Sequence, residues 1–439
     1  MDEQPDLVEG AKAVLAMNDR GIYTSPSIEL YPHQWLWDSC FTAIGLRNYD
    51  IDRAMTEIRS LFEGQWHNGM IPNMIFSPDP KYARDRNIWN SIINPNSPDG
   101  LATSGITQPP MLAEAIVQIG KKLKAAERRS WYKEVLPTLL AYHQWIYNER
   151  DPHNEGLALQ IHPWETGLDN TPPWMQEMHE HQLSLWIRVV KSLKLTPLFT
   201  VFRRDTKHVP AGQRMHTIDA LGLFSTQRRL RRKGYDINKV LKHSLFAIED
   251  LTFNSVLVRA NQHLQDIAKY IRQDIPEDML LQMKNTETAL EHLWDAYTGQ
   301  YYSRDFVTHK LIKEASVATL LPLYAGTISH DRAKQLVRLL ENQHVFATDY
   351  PIPSVPANSP WFNPVCYWQG PAWVNINWLI IDGLERSGFP DHATALKEST
   401  LDMISQNGFY EYFNPLTGEA AGVPNFSWTA ALAIDLTKN

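Results

Sequence analysis

Asp50-Ile-Asp-Arg-Ala-Met-Thr-Glu-Ile-Arg-Ser-Leu-Phe-Glu-Gly64 spaces its apolar residues as a helix does. Ile51, Ala54, Met55, Ile58, Leu61 and Phe62 fall at i, i+3, i+4 and i+7, one stripe of an α-helix over residues 51–64. Asp50 stands at its N-cap, where a carboxylate accepts the unpaired amides of the first turn. Just upstream, Tyr31-Pro-His-Gln-Trp-Leu-Trp-Asp-Ser-Cys-Phe41 places Pro32 in a loop and opens a helix that runs to about Arg47. These two helices form a pair with a short connection.

The same pairing continues in both directions. Helical spacing covers residues 6–19, 129–149, 174–194, 219–232, 236–272, 278–294, 311–323, 330–342, 370–387, 391–406 and 427–437. Pro109 and Pro110 suit the first turn of a helix whose stripe is Met111, Leu112, Ala115, Ile116 and Ile119. Gly388 and Pro390 mark a helix end. Residues 66–100, 195–218 and 344–368 are irregular and rich in aromatic or basic side chains. Apart from a small hairpin near residues 294–302, almost no strand pattern appears.

The connections also rhyme. Asp151-Pro-His-Asn-Glu-Gly156, Asp295-Ala-Tyr-Thr-Gly299 and Asn414-Pro-Leu-Thr-Gly418 are similar turns that run from Asp or Asn to Gly. Successive αα-hairpins joined by matching turns are the expectation, in an all-α chain with one domain over residues 1–439.

Composition narrows the function. A net charge of −7 gives no electrostatic reason to expect nucleic acid. Fifteen Trp and seventeen Tyr suit a site that stacks on sugar rings, although large cores also use them. Cys40 and Cys366 have neither disulfide-framework nor metal-ligand spacing. The N-terminus, Met1-Asp-Glu-Gln-Pro-Asp6, is not a signal peptide, and no apolar run is long enough for a membrane span. A cytoplasmic protein without membrane partners is expected, and a homo-oligomer is compatible with all of this.

Carboxylates among aromatic residues stand out next. Ile161-His-Pro-Trp-Glu-Thr-Gly-Leu-Asp-Asn-Thr-Pro-Pro-Trp174 offers Glu165 and Asp169 on a loop walled by Trp164, Trp174 and His162. Such walls raise a carboxyl pKa and suit an acid that protonates a glycosidic oxygen. Asp-Asn-Thr-Pro is equally a good turn and cap. Glu165 reads better as an ion-paired residue. A partner carboxylate comes from Glu411, between Tyr410 and Tyr412, ahead of Glu419, which reads as a solvated turn residue. Asp38 is a sugar ligand or a helix cap. Trp35 and Trp37 alternate, so on a helix one of them belongs to the core. His179 and His181, two apart, point away from each other on a helix and do not form a metal pair. Arg228, Arg229, Arg231, Arg232 and Lys233 read as a solvated face.

Five motifs in order resemble glycoside hydrolase family 63: Trp35-Leu-Trp-Asp38, Gly69-Met-Ile-Pro72, Glu165-Thr-Gly-Leu-Asp-Asn170, Tyr367-Trp-Gln-Gly-Pro-Ala-Trp373, and Glu411-Tyr-Phe-Asn-Pro-Leu-Thr-Gly418 with Phe426-Ser-Trp428. The chain is most similar to the small branch of mannosylglycerate and glucosylglycerate hydrolases. The resemblance implies an (α/α)6 toroid, an inverting mechanism, and no cofactor or metal. It makes Asp169 the general acid and Glu411 the general base. It assigns the cleaved sugar to Trp35, Trp37, Asp38, Trp164, Gly167, Tyr367 and Trp373. Tyr31, Tyr82 and Gln108 would face the sugar or the glycerate. Arg214 would pair with the glycerate carboxylate, with Arg203 and Arg204 as competitors.

The chain departs from the branch on the acceptor side. Met215-His-Thr-Ile-Asp-Ala-Leu221 lacks the branch's Tyr, and Gln369 replaces its common Arg. Two other functions stay open. One is an α-glucosidase on a neutral disaccharide resembling trehalose or kojibiose, and the other is a non-catalytic sugar-binding toroid.

Overall fold

The computed structural model describes residues 7–178, 183–201, 203–242 and 246–438. His179 and His181 lie outside the described residues.

In chain order the helices begin with α1 (Leu7–Asn18), α2 (Leu36–Leu46) and α3 (Ile51–Glu63). A short α4 (Ala83–Trp89) precedes α5 (Leu112–Lys122) and α6 (Ala125–Arg150). An excursion carries α7 (Pro172–Glu177), α8 (Leu185–Ser192), α9 (Thr196–Thr200), α10 (Thr217–Arg232) and α11 (Ile237–Leu241). The chain then returns through α12 (Leu251–Ile271), α13 (Glu277–Ala289), α14 (Pro322–Ala325), α15 (His330–Leu340), α16 (Val374–Arg386), α17 (Pro390–Asn407) and α18 (Ser427–Lys438).

Packing sorts twelve of these into two rings. Helices α2, α5, α12, α14, α16 and α18 touch in cyclic order, and α18 closes onto α2. Helices α1, α3, α6, α13, α15 and α17 alternate with them along the chain and form the outer layer. The sequence explains the sorting. Every residue of α2 is buried, as are Ser427–Leu436 of α18, so these helices need partners on all sides. The outer α15 buries one stripe, Ala333, Leu336, Val337 and Leu340. Closure is tight: a Cβ on Gly45 would lie 2.5 Å from the Ala431 backbone.

Several sequence expectations hold. The Asp50 carboxylate accepts the Arg53 amide at 3.0 Å. Residues 294–295 pair with 300–301 as a small hairpin. The rhyming turns are real: Asp151, Asp295 and Asn414 each accept a following backbone amide, and Gly156, Gly299 and Gly418 all have positive φ. Each turn follows an outer helix and leads toward the next inner one.

Other expectations are corrected. The helix over 236–272 is two, because Asp250 caps a new one by accepting the Phe253 amide, while Ile248 and Glu249 pair with Asp305 and Arg304. Among the described residues of the span 174–194, α7 and α8 are separate helices. At 311–323, Pro322 starts α14 and Gly326, φ +72°, stops it. Pro109 and Pro110 precede α5 rather than forming its first turn. Tyr410–Phe413 and Ala420–Pro424 form an antiparallel hairpin that no alternating pattern announced. Arg231 is a bracket rather than a solvated residue, donating to the carbonyls of Asn87 and Ile88.

A buried polar knot ties three inner helices. Glu114 of α5 accepts from the Gln118 amide, the Tyr324 hydroxyl and His263 Nε2, each at 2.7 Å. Burial pushes the Glu114 carboxyl up, but His263, Tyr324 and Arg259 outweigh it and hold it well below the carboxylate range. Glu114→Gln is therefore expected to cost about 3 kcal/mol at pH 7, as for one partner lost from a buried pair. A depressed carboxyl stabilises above its unfolded pKa and stops doing so as pH falls through its folded one. Urea unfolding should show the gap between wild type and variant narrowing toward acid pH.

Candidate active site

The ring topology collects the site. Residues just before or at the start of inner helices meet at one mouth: Tyr31, Trp35, Trp37 and Asp38 at α2, Gln108 before α5, and Tyr367, Trp368 and Trp373 before α16. Glu411, Phe426 and Trp428 reach it ahead of or within α18, and Gly167 and Asp169 come from the excursion after α6. Together with Pro26 they line one pocket.

Aromatic rings make its walls. Trp368 and Trp373 stack with centroids 3.7 Å apart and planes at 3°. Trp37 and Trp428 meet edge to face at 5.8 Å. The expectation that Trp35 or Trp37 belongs to the core holds for Trp37, which is buried in the core cluster while also lining the pocket. Trp35 is an extended N-cap residue, φ −115° and ψ 144°, so the helical alternation starts only after it and both indoles reach the pocket. Gly167 has φ +79°, and a Cβ there would lie 2.5 Å from Trp37 Cη2. Gly167→Ala should cost about 1–2 kcal/mol in backbone strain and displace the Trp37 wall. We expect kcat/KM to fall by about tenfold or more, a 1.4 kcal/mol effect, which steady-state kinetics would read.

Three carboxylates face this pocket. Asp169 is half-buried at the pocket, and desolvation pushes its carboxyl up to about 7. The Tyr367 hydroxyl donates to its Oδ2 at 2.8 Å and opposes that rise. Asp38 sits in the first turn of α2, where its carboxylate accepts its own backbone amide, so the cap reading and a place in the pocket lining hold together. Burial, with Glu411 and Asp169 nearby, pushes its carboxyl well above the usual range.

Glu411 is gripped on both oxygens. Its Oε1 accepts the Tyr31 hydroxyl at 2.8 Å. Its Oε2 accepts Arg214 Nη1 at 2.8 Å and the Val423 amide at 3.2 Å. A register shift between Tyr410 and Tyr412 puts Glu411 at a bulge, the device by which a strand re-aims one side chain. Gly422, φ +77°, makes room: a Cβ there would sit 2.7 Å from Glu411 Oε2.

Arg214 stands behind Glu411. Its Nη2 donates to the Tyr31 hydroxyl at 2.6 Å, and its guanidinium lies 4.3 Å over the Tyr367 ring. Its competitors sit elsewhere. Arg203 forks onto Asp205, and Arg204 reaches Asp85 on the exposed rim. Glu165 is buried on Arg150 Nη2 at 2.8 Å and accepts the Ile161 amide, a structural role that matches its ion-pair reading. Glu419 is exposed in the turn.

Three expected substrate-binding residues lie apart from the lining: Arg214, buried on Glu411 and Tyr31, and Tyr82 and Trp164. Tyr82 packs edge-on against His33, 5.2 Å between centroids, with Arg204 on its ring. Trp164 packs on His162 and Trp89 at 4.7 and 5.9 Å. Among the described residues, no group of three or more His, Cys, Asp or Glu side chains could hold a metal ion. No helix among them is long and apolar enough to cross a membrane.

A family model described as the mannosylglycerate hydrolase MGH1-like glycoside hydrolase domain matches residues 31–429. The chain belongs to this family. It is a glycoside hydrolase. A mannosylglycerate hydrolase of Thermus thermophilus is 38% identical over 98% of this chain and 100% of its own. The glucosylglycerate hydrolase of Mycolicibacterium hassiacum is 30% identical over 98% of this chain and 97% of its own. The crystal structure of the GH63 mannosylglycerate hydrolase from a second Thermus thermophilus strain, in complex with Tris and D-glycerate, superposes with TM-score 0.87. It is 36% identical and covers 98% of this chain and 100% of that one.

Sequence reading of this hydrolase left Trp368, Phe426, Trp428 and Gly422 out of the site. Three of them lie in the quoted motifs and were available as aromatic residues beside assigned ones. Gly422 carried no signal, because the strand around it was not legible in the sequence either.

Proposed function

We propose that this hydrolase cleaves the α-hexosyl bond of a small anionic glycoside, glucosylglycerate or mannosylglycerate, with inversion. The observation that carries the reading is one aromatic pocket holding two tyrosine-bound carboxylates, Asp169 and Glu411, with Arg214 directly behind the second. The names of the two relatives supply the choice of acceptor.

Asp169, protonated near neutral pH, gives its proton to the glycosidic oxygen as the C–O bond breaks. Glu411 accepts a proton from the water that attacks the anomeric carbon on the opposite face. The Trp368–Trp373 stack and Trp37 hold the hexose, and Asp38, with its raised carboxyl, bonds a sugar hydroxyl. Gln108 and Tyr31 sit toward the acceptor, and Arg214 reads its carboxylate as a fork matched to two oxygens. Tyr82 and Trp164 support the rim from outside the lining.

The apolar core runs through both ends of the described chain, from Ala11 to Leu436, which favours one catalytic domain over residues 1–439. Both cysteines are buried and free, as suits a reducing cytoplasm.

The test is proton NMR of the purified protein with glucosylglycerate, mannosylglycerate, trehalose and kojibiose. A β-hexose appearing first from a glycerate conjugate supports the reading. An initial α-hexose would remove Glu411 as a base, and turnover of the neutral disaccharides alone would remove the anionic acceptor.

A further inference from the structure

Glu411 as a general base must offer a basic lone pair to water, yet both sites of its Oε2 are taken and the Arg214 cation paired with it lowers the basicity of the one site left on Oε1. A carboxylate has about four lone-pair sites. Two of the three donors are fixed by the fold, the Val423 amide and the Tyr31 hydroxyl. The third belongs to a long side chain. Arg214 Nη1 gives Glu411 a bond at 2.8 Å, while its Nε makes no hydrogen bond and lies 3.5 Å from Asp205 Oδ2. Arg214 is thus a buried fork with one donor unspent, shared between Glu411, Tyr31 and Asp205.

We infer that the Arg214–Glu411 ion pair is a resting lock, and that the carboxylate of the bound acceptor opens it by drawing Arg214 onto itself. This rests on the reading of the substrate as a glycerate conjugate. Arg214 is then a positioning residue for the base as well as a binding residue. Selection for an anionic acceptor is exercised in turnover, because a neutral acceptor leaves Glu411 paired. The exchange is electrostatically natural, since it trades one carboxylate for another on the same guanidinium and leaves no buried cation unpaired. Tyr31, which touches both partners, stays on Glu411 Oε1 to hold the freed carboxylate in place.

An α-hexosyl fluoride isolates the base, because fluoride leaves without needing a proton from Asp169 and brings no acceptor carboxylate. The experiment measures its hydrolysis by wild type and by Arg214→Met, each with and without D-glycerate. Wild type should be slow alone and several-fold faster with saturating glycerate. Arg214→Met, which removes the lock, should hydrolyse the fluoride several-fold faster than unactivated wild type and ignore glycerate. Arg214→Lys, which keeps the charge but cannot fork, should show weaker activation and serves if the Met variant does not fold. Glycerate that only inhibits wild type, or an Arg214→Met variant no faster on the fluoride than unactivated wild type, would overturn the lock. The function proposed above fails separately, if wild type leaves both glycerate conjugates intact.

Discussion

Asp169→Asn is expected to slow hydrolysis of the glycerate conjugate by about 10³–10⁴-fold, near the upper range for general acid catalysis, because an alkoxide is a poor leaving group. An α-hexosyl fluoride should lose much less. In the wild type, kcat/KM should fall above about pH 7, as the desolvated carboxyl gives up the proton it must donate. Tyr367→Phe should move that limb to higher pH, since the lost hydrogen bond favoured the charged form.

The same substitution carries a stability signature of opposite sign. A carboxyl whose folded pKa exceeds its unfolded one penalises folding as pH rises from the unfolded value to the folded value, and by a constant amount above it. Asparagine has no such penalty. Asp169→Asn should therefore be the more stable protein at pH 8, by up to roughly 4 kcal/mol, with no gap below about pH 4. Thermal or urea unfolding across pH would show it. A variant that is inactive and less stable at pH 8 would contradict the desolvated-acid assignment.

Glu411→Ala is expected to lose activity about as severely, with a loss of about 10³-fold or more, and to differ in two ways. Azide should restore turnover by taking the place of the activated water, and the product should be the β-azide. Stability should fall, by about 3 kcal/mol, because Arg214 is left buried without its ion pair. The two carboxylates are thus separable without any substrate, since removing one stabilises the fold and removing the other weakens it. Equal destabilisation by both would mean that Asp169 is held as an ion in the resting protein.

The helices of this ring were legible where burial leaves a stripe, as in α3 and α15, and where a cap or a terminating glycine stands in the chain, as at Asp50 and Gly388. Legibility failed where the local signal was weaker than tertiary pairing. Ile248 and Glu249 read as helix until Arg304 and Asp305 come alongside. The hairpin that aims Glu411 has a bulge in place of a regular alternation, so its pattern is invisible at period two. In the site, Asp169, Glu411 and the Trp35-Leu-Trp-Asp38 motif could be named from the residues beside them. The grip of Tyr31 and Arg214 on Glu411 could not, because it joins residues roughly 200 and 400 positions apart through a ring closed by packing.

The inner helices α2, α5, α16 and α18 start near the pocket mouth, so their backbone dipoles run in parallel. Each helix end carries about half a positive charge at its start and half a negative one at its finish. The open face of the ring is therefore electropositive before any side chain is placed. Glu411, held on Arg214, faces that potential together with Asp38 and Asp169, whose charge desolvation disfavours. The far face should carry the opposite sign, and there Arg47, Lys121 and Lys122, at or near the ends of α2 and α5, line one cleft with Lys397 of α17 and the acids Asp382, Glu385 and Asp435. The polarity of the molecule is thus set by chain direction. The side chains at its two faces sit in a field that the fold itself creates.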